Sequence, residues 1–263
     1  MNQNLIELDS LDLGWTLLLL GMAIALAAWQ KLGLAGQLAW AGGRALLQLL
    51  IVGYFLAVIF ALNHPLAVLA VLGIMLTIAA IVAKNRIAAR NRTLLPLLWS
   101  SLFVSTVLTL GYAILVIIQP GQWYQPQYLI PLAGMVLGNA MSSASLAGER
   151  LSSLIQQNQR ELETHLCLGA TPKQAIADFQ KTAIKASLIP TLNQMMVVGI
   201  VSLPGMFTGQ VLAGMDPINA ASYQILILFM IAFANLLTAI LVTEGVYRQF
   251  FNEQMQLVAP VGF

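Results

Sequence analysis

Long apolar runs alternate along this chain with short polar interruptions. A bilayer's hydrocarbon core takes about 20 residues of helix to cross. Seven segments of roughly that size lie near 12–30, 44–62, 66–83, 95–118, 129–149, 186–205 and 220–244. Polar signals mark their ends. Asn63-His64-Pro65 reads as a tight turn, with Pro65 suited to the first turn of the next helix. Met215-Asp216-Pro217 supplies an N-cap aspartate and an N1 proline ahead of the last segment. Between the fourth and fifth segments, Trp123, Tyr124 and Tyr128 suit an interfacial aromatic belt. The expected class is all-α: one polytopic transmembrane domain over 1–263, with seven membrane helices.

Charge fixes the expected direction of threading. With this division, all 12 Lys and Arg residues fall on one side. Lys31 and Arg44 lie between spans one and two; Lys84, Arg86, Arg90 and Arg92 between three and four. Arg150, Arg160, Lys173, Lys181 and Lys185 lie between five and six, and Arg248 follows span seven. Basic residues accumulate in cytoplasmic loops because they resist translocation. The N-terminus is therefore expected outside and the C-terminus in the cytosol. Glu7, Asp9 and Asp12 precede the first span with no basic residue, so that span is expected to be retained rather than cleaved. The expected location is the plasma membrane, the bacterial inner membrane.

Composition narrows the function classes. Only 8% of residues are charged and 59% are hydrophobic, with a mean hydropathy of +0.83, whereas a soluble domain carries about 25% charged residues. A net charge of +2 gives no reason to expect nucleic acid as a partner. The single cysteine, Cys167, allows no internal disulfide and reads as a reduced, small apolar residue on the cytosolic side. No Gly-rich loop with Lys-Ser/Thr occurs, so if ATP drives this protein, ATP and Mg²⁺ are bound by another polypeptide. No tandem repeat divides the chain, and seven spans cannot split into equal halves. That pattern favours a half-pore that dimerises over a self-contained carrier.

The longest non-membrane stretch, 150–185, is too short for a catalytic domain. After the polar extension of span five at 152–159, a helical pattern begins at Arg160 and breaks at Leu168-Gly169-Ala170. It restarts with Thr171 as N-cap, Pro172 at N1 and Gln174 at N3, a capping box. Asp178 and Lys181 are spaced to pair on the returning helix. Leu162 and Leu166 share one face of the short first helix, and an exposed apolar face needs a partner. Two accounts of that face stand open: a lever docked on a motor subunit, or an amphipathic helix resting among lipid headgroups.

Chemistry-bearing side chains are sparse within the spans. Asn139, Ser142, Ser143, Asn193, Gln194 and Asn235 place polar atoms at membrane depth, where they must bond to neighbouring helices or line a wet path. Gly134, Gly138 and Ser142 form one ridge of small residues on span five, and Ala140, Ala144 and Gly148 a second. Such ridges let backbones approach closely, within one subunit or across a dimer seam. Pro204 and Gly205 are expected to break span six and free nearby carbonyls for cations or a hinge. His64 is expected to be solvated and His165 to belong to the cytosolic surface. With no His/Cys/carboxylate cluster at ligand spacing, the metal-ligating residues stay unknown. Met135, Met141, Met195, Met196 and Met206 read as packing material. Glu244 and Glu149-Arg150 read as interfacial or ion-paired, and Arg44 with Gln48 one turn on as a snorkelling anchor.

Family resemblance sharpens this picture. Glu163, followed by Gly169 within Gly-Ala-Thr-Pro, resembles the glutamate-to-glycine signature of ABC-transporter permeases. The resemblance implies that this stretch is a coupling helix docked on an ATP-binding subunit, its residues being Glu161, Leu162, Glu163, His165, Leu166, Gly169, Ala170, Thr171 and Pro172. A closer resemblance covers most of the chain. The run from Pro131 through Gly138-Asn139-Ala140, the Leu168-Gly169-Ala170-Thr171-Pro172 turn, and Val201-Ser202-Leu203-Pro204-Gly205-Met206-Phe207-Thr208-Gly209 resemble the Fet-type iron-export permeases. That family is itself similar to the plant aluminium-sensitivity permeases. The likeness implies a homodimeric transport subunit, not an enzyme and without a cofactor of its own, working with a cytosolic ABC ATPase to export iron or another metal ion. A nucleotide-sugar or other small polar solute is the alternative cargo. An ion-coupled secondary carrier and a non-transporting scaffold are the competing classes.

Overall fold

The computed structural model describes residues 10–91, 93–252 and 254–258; Glu7, Asp9 and Arg92, used above to argue topology, lie outside them. Among the described residues the fold is helical, with two isolated β-bridges and no strand. Five helices are long and apolar enough to cross a membrane: Ala35–Leu62, Pro65–Ala88, Leu94–Ile118, Pro126–Gln157 and Pro217–Phe250. Gly14–Trp29 is a shorter apolar helix. The chain divides into two compact units, Met1–Asn63 and His64–Phe263.

In the first unit, α1 (Ser10–Trp29) and α2 (Ala35–Leu62) pack on one another. Their close approach falls where Gly42 meets the Leu20 side chain. Lys31 and Gly33, both at positive φ, turn the chain between them. On α2 the Arg44 guanidinium donates to the Gln48 amide oxygen at 3.0 and 3.3 Å when that oxygen faces it, matching the expected one-turn pair.

The second unit is built around α5 (Pro126–Gln157), which packs against α3 (Pro65–Ala88), α4 (Leu94–Tyr112), α8 (Ala177–Val197) and α10 (Pro217–Tyr247). Helix starts follow the local signals. Pro65 opens α3, and its N-cap His64 is exposed, with Nδ1 accepting the Leu66 amide at 3.3 Å. Asp216 accepts from the amides of Ile218 and Asn219 ahead of Pro217 in α10. A six-residue π-helix, Ala113–Ile118, continues α4.

Small residues hold the centre together. Ala140, Ala144 and Ala147 of α5 are buried without exposure, as are Ala80 and Ala83 of α3. A Cβ at Gly148 would run into the Ile87 side chain, and one at Gly245 of α10 into Leu97 of α4. The Ala140–Ala144–Gly148 ridge is thus internal packing. The other ridge divides: a Cβ at Gly134 would lie 3.3 Å from Met75, while Gly138 and Ser142 are exposed. On the side bearing the basic residues, buried Asn91 donates to Gln249 Oε1 at 2.9 Å and accepts from the Thr93 amide and hydroxyl. This ties the α3–α4 turn to the 3₁₀ turn Arg248–Phe250.

Span six departs from expectation. The apolar run to 205 predicts helix, yet α8 ends at Val197 and a turn through Gly199, at φ +79°, intervenes before α9 (Gly205–Leu212). The Val197 carbonyl accepts from the amides of Ile200, Val201 and Ser202, so the ladder closes on itself rather than continuing. Pro204 is the N-cap of α9 and Gly205 its first residue; the interruption lies upstream of both. Pro190, inside α8, donates no amide to the Ala186 carbonyl.

Replacing Gly148 by Leu is expected to destabilise the purified protein by about 1–3 kcal/mol, as overpacked cores do. Leu at Gly111, where a Cβ meets nothing within 4 Å, should leave the thermal midpoint in detergent unlowered. Equal midpoints for both variants would contradict the close α3–α5 packing.

Candidate functional site

Two features concentrate the polar chemistry: an elbow at the end of α5 and a chain of hydroxyl and amide groups inside the helix bundle. The elbow is built from α6 (Gln159–Cys167) and the single turn α7 (Pro172–Ala175). Asn158 ends α5, its amide nitrogen donating to the Leu154 carbonyl at 2.8 Å. α6 then closes in a Schellman arrangement: Gly169 N–H reaches the Leu166 carbonyl and Ala170 N–H the His165 carbonyl, each at 3.0 Å. That closure places Gly169 at φ +89°, a left-handed conformation that costs other residues roughly 1–2 kcal/mol. Two residues on, the Thr171 hydroxyl accepts the Gln174 amide and the Gln174 side chain accepts the Thr171 amide at 2.9 Å, with Pro172 at N1. The sequence alone predicts this capping box.

The expected unpartnered apolar face is corrected. Leu162 is fully buried, and Leu166 is half-buried against the same core. Leu162 joins Leu151 and Ile155 of α5 and Ile176 at the start of α8. The two leucines therefore pin the elbow to its own bundle. The outward surface is instead Glu161, Glu163, Thr164, His165, Cys167 and Leu168, the last 81% exposed. Cys167 is an exposed free thiol rather than a packed residue. Glu161 and His165 lie 3.9 Å apart on that surface, and the Asp178–Lys181 pair forms at 3.2 Å. Exposed pairs of this kind add little stability.

Inside the bundle, the expected polar positions separate. Ser143 of α5 donates to the Asn235 carbonyl of α10 at 3.1 Å, and Asn235 Nδ2 donates to Thr191 of α8 at 2.7 Å. One three-helix node thus holds Ser143 and Asn235, with Thr191 as a partner that sequence reasoning missed. The Asn235 Oδ1 atom is buried with no partner. Asn139 and Ser142 bond back to their own helix, at Met135 and Gly138. Asn193 is exposed and Gln194 half-buried, one turn beyond the node on α8. Thr238 of α10 donates to Ser105 of α4 at 2.7 Å, and Gln180 of α8 to Thr243 of α10 at 3.2 Å. Sequence reasoning missed both pairs; the only signal for them was a polar residue within an apolar run. Glu244 takes Arg248 at 2.8 Å and Tyr247 at 3.2 Å, so it is ion-paired as expected. Among the described residues no three His, Cys, Asp or Glu side chains gather as a metal cluster.

Comparison with known proteins now bears on this arrangement. The family described as "Uncharacterised protein family (UPF0014)" matches residues 10–251. The chain belongs to the UPF0014 family. It is 67% identical to "UPF0014 membrane protein slr1647" of Synechocystis over 98% of the chain and 100% of the relative. It is 38% identical to "Probable iron export permease protein FetB" of Escherichia coli, over 98% and 97%. It is 31% identical to "Protein ALUMINUM SENSITIVE 3" of Arabidopsis thaliana, over 91% and 86%. No solved structure matches. With relatives named as membrane proteins and five helices fit to cross a bilayer, this UPF0014 chain is a multi-pass membrane protein.

Truncating Leu162 to Ala should cost about 2–5 kcal/mol locally, as buried Leu→Ala changes do. Hydrogen exchange is expected to speed up across 159–176 and not in α3 or α4; uniform acceleration would refute a locally pinned elbow. In a Thr191→Val/Asn235→Leu double-mutant cycle, the expected coupling is about 0.6 kcal/mol, the average for hydrogen bonds within membranes. Zero coupling would show that the node contributes nothing.

Proposed function

We propose that this chain is the permease subunit of an ABC transporter and exports iron or another metal ion from the cytosol. Two copies form the pathway, and two separate ATP-binding subunits, each holding ATP with Mg²⁺, supply the energy. The whole of 1–263 acts as one transport domain, with catalysis confined to the partner. The observation that carries this reading is the elbow: a short helix closed by Gly169, restarted by the Thr171 capping box, and locked through Leu162 and Ile176 to the helices on either side. A surface loop that only connects spans has no need of such stiffness. An element pushed by a motor does, because force is lost in a joint that bends. The relative named as a probable iron export permease supports both the transport class and the cargo.

In this reading the membrane is crossed seven times, N-terminus outside and C-terminus in the cytosol. α1 and the α8–α9 stretch add to the five long apolar helices. α8 is less apolar because its first half carries Asp178, Gln180, Lys181 and Lys185, which lie at the cytosolic headgroups. The one-sided distribution of Lys and Arg supports that threading. In the proposed cycle, closure of the ATPase pair drives the outward face of α6, Glu161, Glu163, His165 and Leu168, and the rigid elbow turns α5 against α8. The cargo then passes the amide and hydroxyl groups of Asn139, Ser142, Ser143, Asn193, Gln194 and Asn235. Oxygen ligands that hold weakly suit an exporter, which must release what it captures.

The test is reconstitution of the permease with its ATPase and measurement of ATP-dependent efflux across a metal and nucleotide-sugar panel. A Cβ at Gly169 meets no neighbour within 4 Å, so the Gly169→Val protein should insert and fold. Its strained φ, a cost of roughly 1–2 kcal/mol, reshapes the elbow, and ATPase stimulation should fall about tenfold. Unchanged stimulation, or robust flux without nucleotide, would overturn the proposal.

A further inference from the structure

A groove lies between α4 and α10 at the end of the bundle where Asn91 and Thr93 bond to Gln249. Its polar lining is Ser100 and Ser101 of α4 with Glu244 and Arg248; Val104 and Leu241 form its apolar end. α4 starts at this side and α10 finishes there, so Val104 and Leu241 are the deeper pair. Leu241 precedes Arg248 by seven residues, which at 1.5 Å per residue runs the groove roughly 10 Å into the membrane. The polar groups are only partly used within the chain. Glu244 Oε1 takes both the Arg248 guanidinium at 2.8 Å and the Tyr247 hydroxyl at 3.2 Å, leaving Oε2 for a further donor. Arg248 makes its bond from Nη2, and its side chain is 69% exposed. Ser101 is 4% exposed, yet its hydroxyl forms no hydrogen bond among the described residues. Lys173 adds a second positive charge within electrostatic reach of Glu244.

The groove therefore grades from charged at its rim, through hydroxyl groups, to apolar at depth. A phospholipid grades in the same order: phosphate and headgroup, ester carbonyls, acyl chain. Each step has a matching partner. The guanidinium of Arg248 suits a phosphate, which accepts several of its N–H groups at once. The unused Ser101 hydroxyl suits an ester carbonyl, since a buried hydroxyl without a partner is costly. Glu244 Oε2 calls for a donor on the headgroup: a glycerol headgroup has hydroxyls to give, whereas choline has none. Two cations stand against one carboxylate, so the mouth of the groove accommodates one more negative charge.

We infer that the α4–α10 groove is a binding site for an anionic phospholipid with a hydroxyl-bearing headgroup, of the phosphatidylglycerol kind. Arg248 holds the phosphate, Glu244 accepts from the headgroup hydroxyls, and Ser101 donates to an ester carbonyl. One acyl chain lies along Val104 and Leu241. The lipid comes from the leaflet on the side of the basic residues, where anionic headgroups and Lys or Arg attract one another. A lipid seated there bridges α4 and α10, whose other polar tie is the Thr238–Ser105 bond deeper in the bundle. The site needs neither the ATPase nor the cargo, so it stands apart from the transport reading.

The experiment is native mass spectrometry of the purified, delipidated full-length permease, offered phosphatidylglycerol and phosphatidylcholine with identical acyl chains. Phosphatidylglycerol is expected to be retained about tenfold or more over phosphatidylcholine. Arg248→Met should lower its retention by a similar factor, the effect of losing a hydrogen bond to a charged group. Val104→Trp fills the apolar end of the groove from a position that is 40% exposed, and should lower retention as well. It also covers the case in which Arg248→Met fails to fold, judged from its thermal midpoint without lipid. Equal retention of the two lipids by the wild type overturns the proposal, as does unchanged phosphatidylglycerol retention in both variants. Loss in Arg248→Met with none in Val104→Trp shows attraction of a headgroup to the surface alone and overturns the groove. No nucleotide or ATPase is present, so a negative result here is separate from failure of the ATP-driven reading, which is decided by efflux and Gly169→Val.

Discussion

Everything in the larger helical unit depends on how closely its helices approach α5. A helix in a bilayer gains little from hiding apolar side chains, since lipid is as apolar as leucine; association comes from packing and from hydrogen bonds between helices. Ala140, Ala144, Ala147 and Gly148 shrink one flank of α5 until α3 can settle on it, with Ile87 filling the notch at Gly148. The same helix takes α8 and α10 on other flanks, joined through Ser143 and the Asn235–Thr191 bond. The central helix thus touches most of the bundle and ends in the elbow. A displacement at that end has no soft layer in which to dissipate.

The elbow shows how local chemistry and long-range packing divide the work. Its path is dictated locally: a left-handed glycine closes one helix, and a threonine, proline and glutamine open the next. Its rigidity is dictated at a distance, by Leu162 and Ile176 entering the core formed by α5. Either alone would be insufficient. A capped turn without burial would swing on the surface, and buried leucines without the glycine closure could not turn the chain back within four residues. In the proposed transport cycle the exposed surface can be polar and adaptable because the stiffness lies beneath it.

Legibility in the sequence tracks the range of the interaction. The capping box, the Asp216 and Pro217 start, the break at Gly169 and the Asp178–Lys181 pair were all readable, because each is settled within about one helical turn. The second small ridge of α5 was readable too, since helical spacing alone aligns it. The fate of Leu162 was not: periodicity shows that a face is apolar, not which surface covers it. Asn235 with Thr191, 44 residues apart, and Thr238 with Ser105, 133 apart, were beyond local reasoning. The end of α8 was misplaced because Val197-Val198-Gly199-Ile200-Val201 is uniformly apolar. Proline and glycine further on drew the expected break to 204–205, while the backbone leaves the helix already at extended Val198 and turns at Gly199.

That early ending changes what the polar residues mean. Gln224 of α10 is buried beside the turn, and its Oε1 atom has no partner. The turn residues Val198 and Gly199 line a groove together with Gln224. Non-helical backbone at membrane depth is tolerated where it is buried in protein or lines a cavity. Here the broken segment and the orphaned amide line the same groove. The bundle is otherwise frugal with unsatisfied polar atoms: most of its buried hydroxyls return to a carbonyl three or four residues back or cross to a partner helix. Among the described residues, those that do not are Thr106 on α4, Gln210 on α9, and Gln224 and Asn235 on α10. α10 packs against both α5 and α8, and its Asn235 is bonded to each, so a rotation of α5 relative to α8 must strain that node.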